Sequence, residues 1–387
     1  MKLCVPTSWD NRLIVKLDEL NKETKNIHEL YGTMRTSVLG GGRPAARLPQ
    51  ITFSQAKEHI ELAHSCGFSF NYLLNAPCHG GREFEVKFRQ KMHEYLEQVR
   101  ELNADTITVS NPYLLELIKK EYPSFKIIVG SFAEVDSLNT AVYYDRMGVE
   151  CIILACDTNR KFEELKKIRR NVGCGLEVMI NDGSLFDCPR RRYCSRLAGH
   201  VTQEGENGEL PLYVSYTLLK CSLKRLAPDE LMKSIWIRPE DIGVYEDIGI
   251  EYFKIAGRSF STEWILRCAG AYSKRSYNGN LLELMELHNV PILAPYTGDR
   301  TTVSSLFHID NRALDGFIDF FKEYGCDGDC RACRYCTDFA KTAVKTVGDV
   351  EAFKSGLEDV LSKVVSKGFT EADIYRKLCA LHRGTNK

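Results

Sequence analysis

The sequence has no excess of charge of either sign, because 52 Lys and Arg residues balance 52 Asp and Glu residues. No overall field therefore draws the chain towards nucleic acid or an anionic membrane, and any anionic partner must be recognised locally. The sequence also lacks a run of about 18 uncharged apolar residues, the length that a membrane span requires. Its first six residues contain no apolar core of a signal peptide. We expect a cytoplasmic protein without a membrane partner.

Proline is scarce as well, with 12 residues among 387, while 44% of the residues are hydrophobic and 27% are charged. This composition excludes a disordered, collagen-like or coiled-coil chain and is typical of a globular protein with a large core. Two catalytic motifs are also missing, His-Glu-x-x-His and Gly-x-Ser-x-Gly. The common zinc and serine routes to peptide hydrolysis therefore lack their residues.

Short β-branched or aromatic runs recur along the first two thirds of the chain, each followed by a segment with helical periodicity. This alternation is typical of βα units around a parallel sheet, and eight of them predict an α/β fold of the TIM-like (β/α)8 barrel type. We expect the barrel at residues 1–305 and a Cys-rich, mainly helical extension, without further strands, at residues 306–387. The predicted strands are Leu3–Val5, Ile27–Tyr31, Phe70–Leu74, Thr106–Val109, Lys126–Val129, Cys151–Leu154, Leu176–Ile180 and Tyr252–Ile255.

Two of the helices between the predicted strands have readable signals. Thr52 and Gln55 have the spacing of a capping box. The apolar residues Phe84, Phe88, Met92 and Leu96 predict one face of the next helix. A ninth short apolar run, at 235–237, is predicted to decorate the last crossover.

The βα rhythm is interrupted once, by the long segment 181–250 between the seventh and eighth predicted strands. In barrels of this type the loops at the C-terminal ends of the strands build the active site. We therefore expect this enlarged loop to carry chemistry. It contains Cys188, Cys194 and Cys221, the first two in a polar, Pro- and Arg-rich stretch.

The extension contains four cysteines within eleven residues: Cys326, Cys330, Cys333 and Cys336. On a straight helix these thiols would spread too far along the axis to hold one metal centre, so the backbone must coil, which Gly325 and Gly328 permit. The compact run favours a four-iron iron–sulfur cluster.

Two alternatives remain for this run. Structural zinc is the first, although zinc is usually held by two separated Cys pairs. The spacing of its first three cysteines also occurs in radical S-adenosylmethionine enzymes. There, however, the motif follows the first barrel strand, and Ala332 replaces the aromatic residue that is usual before the third cysteine.

Cys188, Cys194 and Cys221 form the second candidate group of metal ligands, because three thiolates and one further ligand could hold another four-iron cluster. The positions Arg190, Arg191 and Arg192 lie between the first two cysteines. They are candidates for bidentate binding of a substrate carboxylate or phosphate, or for offsetting the charge of a cluster. The cysteines expected to fill space in the core are Cys66, Cys151, Cys174, Cys268 and Cys379.

Polar residues near the other strand ends complete the candidate site, since strand ends meet at the mouth of a barrel. Cys78, His79 and Arg82 lie in a Gly-rich loop after the third strand, where a plain turn is the alternative interpretation. The remaining candidates follow or flank the last two strands: Asn181, Asp182, Lys254 and Arg258. We predict His79, Asp182 and Arg258 as catalytic residues, and Arg82, Lys254 and the three consecutive arginines as substrate-binding residues.

Several segments give the sequence a resemblance to peptidase family U32, the collagenase-like group with relatives in anaerobic hydroxylation of RNA and ubiquinone. The resemblance spans most of the chain, and the Lys-Ile-x-Gly-Arg strand is its most diagnostic part. The segments are residues 176–182 (Leu-Glu-Val-Met-Ile-Asn-Asp), 237–241 (Ile-Arg-Pro-Glu-Asp), 252–258 (Tyr-Phe-Lys-Ile-Ala-Gly-Arg) and 262–264 (Thr-Glu-Trp).

The resemblance implies a four-iron cluster held by four cysteines, two of them soon after the seventh strand, which correspond to Cys188 and Cys194. Cys221 fits the third ligand. The fourth is open, because Ser184 stands where a cysteine is expected and no cysteine occurs between Cys221 and the eighth strand. Cys4, Cys78 and His200 are the candidates.

Three classes of function are compatible with these residues. The resemblance favours an iron–sulfur-dependent, oxygen-independent redox enzyme that hydroxylates or transfers oxygen to a small anionic substrate or RNA, with one or two clusters. The first alternative is a peptidase, with Cys78 beside His79 as a candidate nucleophile and base. The second is a non-catalytic iron–sulfur or zinc scaffold. The resemblance also implies a homo- or hetero-oligomer with a related protein.

Overall fold

A computed structural model describes residues 1–35, 37–42, 49–203, 212–287 and 291–367 of the chain. Cys379 and the end of the predicted extension lie outside these ranges. No helix among the described residues is long and apolar enough to cross a lipid bilayer.

Eight parallel strands form a closed barrel in which each strand pairs with the next and β8 pairs with β1. The predicted fold class is therefore confirmed, and the predicted strands agree with the observed ones to within one residue at either end. The strands are β1 Lys2–Pro6, β2 Ile27–Gly32, β3 Ser69–Leu74, β4 Thr106–Val109, β5 Lys126–Val129, β6 Cys151–Ile153, β7 Gly175–Met179 and β8 Tyr252–Lys254.

Helices alternate with the strands and cover the outside of the barrel. Those up to the last strand are α1 Asn11–Thr24, α2 Phe53–Ser65, α3 Val86–Glu101, α4 Pro112–Glu121, α5 Leu138–Arg146, α6 Phe162–Asn171, α7 Arg191–His200, α8 Leu212–Arg225, α9 Pro228–Lys233 and α10 Ile242–Glu246. Those after it are α11 Thr262–Ser273, α12 Ala294–Thr297, α13 Val303–Leu306, α14 Asp319–Glu323, α15 Cys330–Cys333, α16 Tyr335–Ala343 and α17 Val350–Lys367.

Local sequence signals explain how these helices begin. The capping box predicted at the start of α2 is present, with Thr52 accepting from the Gln55 backbone and Gln55 accepting from the Thr52 backbone. Asn111 caps α4 and is followed by Pro112 in its first turn. The apolar stripe predicted for α3 is confirmed except at its first member: Phe84 lies in a 3-10 turn before the helix and is 71% exposed.

Two short elements differ from the prediction. The run 235–237 is not a strand, although the Ile237 N–H donates to the Ile180 carbonyl oxygen at 2.7 Å. The extension is not purely helical, because β9 Phe307–Ile309 and β10 Val344–Thr346 form a two-stranded antiparallel sheet. Each has three residues and lies outside the βα repeat, whose regular alternation located the equally short β6 and β8.

The barrel interior contains charged side chains instead of a purely aliphatic filling. Lys254 Nζ lies 3.2 Å from Glu177 Oε1 and 4.0 Å from the centroid of the Tyr31 ring, and all three residues are buried. Glu29 accepts hydrogen bonds from Asn71 Nδ2 and Thr106 Oγ1, each at 3.2 Å. Lys254 thus lies within the barrel, and Glu177 neutralises its charge there.

Glu29 is expected to make stability fall as the pH rises. Burial raises the pKa of Glu29 to about 7 against the opposing attraction of Lys254, whereas the carboxyl of the unfolded chain titrates near 4.5. Because the folded state holds this proton more tightly, its contribution is complete below about pH 4.5 and is lost as the pH rises through about 7. In urea unfolding, the free energy of unfolding of Glu29→Gln relative to that of the wild type should rise by about 1–3 kcal/mol between pH 5 and pH 8. A constant difference across that range would contradict this.

Candidate active site at the barrel mouth

The connections after β6 and β7 bring a thiol, two carboxylates and a guanidinium together at the C-terminal end of the barrel. Cys156 and Asp157 lie in a 3-10 turn that follows β6, and Asp182 follows β7. Arg191 begins α7. Since parallel strands all end at the same rim, residues distant in sequence meet here.

Asp182 is half-buried and held from two sides. Its Oδ1 accepts the Ser184 N–H at 2.8 Å. The Cys156 thiol lies 3.6 Å from Asp182 Oδ2 and 3.7 Å from Met179 Sδ, so its one proton can serve either acceptor. Burial raises the pKa of the Cys156 thiol well above its ordinary value, and the charge of Asp182 adds to the effect. Cys156 is therefore a thiol and a weak donor to Asp182.

Arg191 is held by the same turn. Its Nη2 donates to Asp157 Oδ1 at 2.8 Å and to the Leu185 carbonyl oxygen at 2.7 Å. Burial alone would lower the Arg191 pKa, but the groups of Cys156, Asp157 and Asp182 outweigh it and raise that pKa. The guanidinium therefore stays charged beside the Asp182 carboxylate.

Two guanidinium N–H groups at this place lack an acceptor. The Nε atoms of Arg190 and Arg191 are buried, and neither has a hydrogen-bond partner among the described residues. A buried donor without an acceptor costs about 1–3 kcal/mol. The arrangement therefore suits a ligand that supplies an oxygen atom. Arg192 differs, because it is 70% exposed and its Nε lies 2.6 Å from Glu134 Oε2.

The three cysteines of the enlarged connection share one neighbourhood. Cys188 precedes α7, Cys194 lies on α7 rather than in a loop as its polar surroundings predicted, and Cys221 lies on α8. Burial raises the pKa of Cys194 to about 11, and the neighbouring Cys221 and Cys188 thiols add to this. Among the described residues, no three His, Cys, Asp or Glu side chains are arranged to hold a single metal ion. The group thus has the donor chemistry for an iron–sulfur cluster but not the convergence that one ion requires.

The loop after β3 is packed into the protein. His79 is fully buried, and its Nε2 lies 3.2 Å from the Leu39 carbonyl oxygen. Burial lowers the His79 pKa. Arg82 donates to the His79 carbonyl oxygen at 3.1 Å, and its guanidinium lies 4.7 Å from the centroid of the Phe88 ring. The two predicted site residues of this loop therefore meet each other, and Cys78 beside them is half-buried.

Arg258 follows β8 and is 6% exposed. Its Nη2 donates to the Gly41 carbonyl oxygen at 3.0 Å, and the Gly41 N–H donates to Thr202 Oγ1 at 3.1 Å. Arg258 therefore ties the segment 37–42 to the rim. The four cysteines of the extension lie outside the barrel, with Cys333 exposed and the other three half-buried.

Cys156 and Asp157 are site residues that the sequence interpretation missed. They follow the predicted strand 151–154 directly, so the strand-end rule that selected Asp182 also applies to them.

Thr7, His59 and Asn11 form a hydrogen-bonded relay that sequence also did not reveal. His59 Nε2 lies 2.7 Å from Thr7 Oγ1, and His59 Nδ1 lies 2.6 Å from Asn11 Oδ1. This is the order of nucleophile, base and orienting group in hydrolases. Thr7 and His59 are each 2% exposed, however, and Thr7 Oγ1 also accepts the Trp9 N–H. The relay fastens α2 to the end of β1 and is closed to a substrate.

The His59 relay is expected to weaken the fold in mild acid. Burial lowers the pKa of His59 to about 4, whereas the unfolded side chain titrates near 6.5. The unfolded state therefore takes up this proton first, and stability falls between about pH 6.5 and pH 4, by up to about 3 kcal/mol. Unfolding measured at several pH values should show that the free energy of unfolding falls less in His59→Gln than in the wild type as the pH is lowered from about 6.5 to 4. Equal losses would show that His59 does not cause the decline.

The barrel fold and the polar mouth built after β6 and β7 define an α/β-barrel protein of enzyme-like architecture. The family model described as peptidase family U32 matches residues 33–280, so the chain belongs to that family, as the resemblance predicted. The chain is also 31% identical over 334 residues to an uncharacterized protease of Methanocaldococcus jannaschii, which covers 86% of this chain and 93% of that protein.

Solved structures resemble the chain more distantly. A U32 peptidase is 19% identical, with a TM-score of 0.46, over 66% of this chain and 93% of that one. A D-psicose 3-epimerase from Clostridium cellulolyticum H10 is 12% identical, with a TM-score of 0.31, over 52% of this chain and 83% of that one.

Proposed function

We propose that the chain is a peptidase whose active centre lies at the barrel mouth between the connections after β6 and β7. The name of the family and that of the relative from M. jannaschii support peptide hydrolysis. They favour the peptidase alternative over the iron–sulfur redox function that was predicted first from the sequence. The observation that carries the proposal is the Asp182 carboxylate beside Arg191, whose Nε–H is buried without an acceptor among the described residues.

Asp182 has the properties of a general base for an attacking water molecule. The Ser184 N–H fixes one carboxylate oxygen at 2.8 Å and so sets the orientation of the group. The other oxygen has the weak Cys156 donor nearby, which leaves it able to accept a proton from water. The nucleophile in this proposal is water, because the raised pKa of Cys156 makes its thiolate scarce.

Arg191 is the group that would stabilise the developing oxyanion. Asp157 and the Leu185 carbonyl fix Nη2, so the guanidinium is oriented before the substrate arrives. With a side chain that is 21% exposed, Arg191 would donate from this guanidinium to the carbonyl oxygen of the peptide bond. Preorganised donors of this kind act most strongly where charge develops in the transition state.

The test is cleavage of an internally quenched peptide library by the purified chain. We expect product from the wild type, with the new termini identified by mass spectrometry. Activity that persists unchanged in Asp182→Asn would reject the proposed centre.

The thiol neighbourhood of Cys188, Cys194 and Cys221 favours a second candidate, an iron–sulfur-dependent redox enzyme. These three cysteines would hold the cluster, and a bound cluster supplies electron transfer. We expect iron and acid-labile sulfide in anaerobically purified protein to fall when all three are replaced by serine. Unchanged amounts would exclude a cluster at the mouth and leave the peptidase proposal intact.

A further inference from the structure

The four cysteines of the extension, which we call the C-terminal thiol group, lie close together because the backbone reverses between them. Gly325, Gly328 and Arg334 all have positive φ angles, of 76°, 85° and 54°. A positive φ is accessible to glycine at little cost, so these turns coil the segment. Cys330 and Cys333 lie on one helical turn, in which the Cys333 N–H donates to the Asp329 carbonyl oxygen at 3.0 Å. Cys326 and Cys336 flank this turn and pack against the hydrophobic core.

Arg160 is a buried cation that faces this group. It is 3% exposed, and its Nη1 donates to the Met232 carbonyl oxygen at 2.7 Å. Its Nη2 is buried and has no hydrogen-bond partner among the described residues. The Asp241 carboxylate acts on its charge from a distance, but the ion pair that Asp241 makes is with Arg238, at 2.9 Å. The thiols of Cys336 and Cys326 are among the groups that interact with its charge.

Aromatic rings connect Arg160 to the cysteines physically. The guanidinium carbon lies 4.9 Å from the centroid of Trp236, 5.0 Å from that of Phe321 and 5.1 Å from that of Phe317. Tyr335 stacks on Phe317 at 5.5 Å. Because Tyr335 precedes Cys336 directly, this stack places the thiol group against the pocket of the guanidinium.

A buried guanidinium that forms no ion pair is costly, since removing a charge from water without pairing it costs several kcal/mol, of which the three aromatic rings offset only a part. Neutral thiols do not offset that cost. Thiolates bound to a metal centre do, because the thiolates and their centre together carry negative charge. A negatively charged metal centre bound by the four thiolates would therefore also compensate the charge of Arg160.

We propose that the C-terminal thiol group binds a four-iron iron–sulfur cluster and that Arg160 is its buried counter-charge. A zinc ion would need the sulfur atoms about 3.8 Å apart, from zinc–sulfur bonds of about 2.3 Å. Among the described residues, no three side chains of the ligating types are arranged to hold one ion. An iron–sulfur cluster is larger than a single ion and lies between its thiolates, so its cysteine sulfur atoms are further apart than those around zinc. The four cysteines lie outside residues 33–280, the part that the family model matches, and the proposal does not depend on the peptidase proposal.

The experiment measures iron, acid-labile sulfide and zinc in anaerobically purified full-length protein. The background carries serine at Cys188, Cys194 and Cys221, so a cluster at the barrel mouth cannot contribute. We expect about four iron and four sulfide per chain in this background. Replacing Cys333 by serine should remove most of both, and since Cys333 is exposed its replacement leaves the packing intact. The control is Cys66→Ser, a half-buried cysteine on the barrel, which should retain the cluster.

Arg160 is tested by its effect on the potential of the cluster. Arg160→Gln should shift the midpoint potential to more negative values, because the reduced cluster loses a neighbouring positive charge. Arg160→Lys, which keeps the charge, should shift it less. Circular dichroism confirms folding of each variant. Iron that is absent from the background protein, iron that survives Cys333→Ser, or zinc in place of iron would each overturn the proposal.

Discussion

Replacing Asp182 by asparagine is expected to lower kcat/KM for peptide hydrolysis by about 100- to 10,000-fold, the range that a lost general base produces. Asparagine has the same shape, and its amide oxygen can still accept the Ser184 N–H that Asp182 accepts at 2.8 Å. It cannot take a proton from water. The loss should therefore appear without a change in the melting temperature.

Asp187→Asn is the matched control for this variant. Asp187 lies on the same connection, five positions further along, and is exposed. It should keep the activity of the wild type, because the Asp187 side chain is exposed and its contact with the Cys156 turn is made by the backbone N–H, which lies 3.0 Å from Asp157 Oδ1 and is retained in asparagine. Equal losses in the two variants would point to a general disturbance of the connection and not to a base.

Arg191→Gln is expected to reduce kcat by about 100- to 1,000-fold, as the loss of an oxyanion donor does. KM should change much less, because the interaction is strongest in the transition state. The variant also removes the 2.8 Å ion pair with Asp157, so its melting temperature is measured alongside.

The control for Arg191 is Arg196→Gln. Arg196 lies on the same helix and is exposed, so its replacement should leave kcat unchanged. A loss confined to KM in Arg191→Gln would show that the guanidinium binds the substrate but does not stabilise the transition state.

The barrel could be predicted from the sequence because its strands are β-branched runs separated by helices with clear periodicity. The strand at 106–109 was predicted with its observed bounds, since Thr-Ile-Thr-Val favours strand structure in every position. The strands at 307–309 and 344–346 were not predicted, because they are short and lie outside the βα repeat. Their pairing joins segments far apart in sequence, which local patterns do not record.

The candidate site could be predicted only in part, for a related reason. Asp182 and the arginines after it could be predicted as site residues because they follow a barrel strand. The sequence does not show which of these arginines forms an ion pair with a carboxylate. Arg191 pairs with Asp157, while Arg192 pairs with Glu134 on another connection. Such pairings depend on the helical phase of α7, and the Pro- and Arg-rich sequence gave no sign of that helix. The pairing of Lys254 with Glu177 inside the barrel likewise joins two strands far apart in sequence, which local patterns do not record.

The peptidase proposal is tested most directly by a double-mutant cycle of Asp182→Asn and Arg191→Gln on kcat/KM for one cleaved peptide. If the two side chains act on the same transition state, the double variant should lose little more than the worse single variant. Losses that multiply would show that the two residues act separately. Hydrolysis that survives in the double variant at the wild-type rate would contradict an active centre at this mouth.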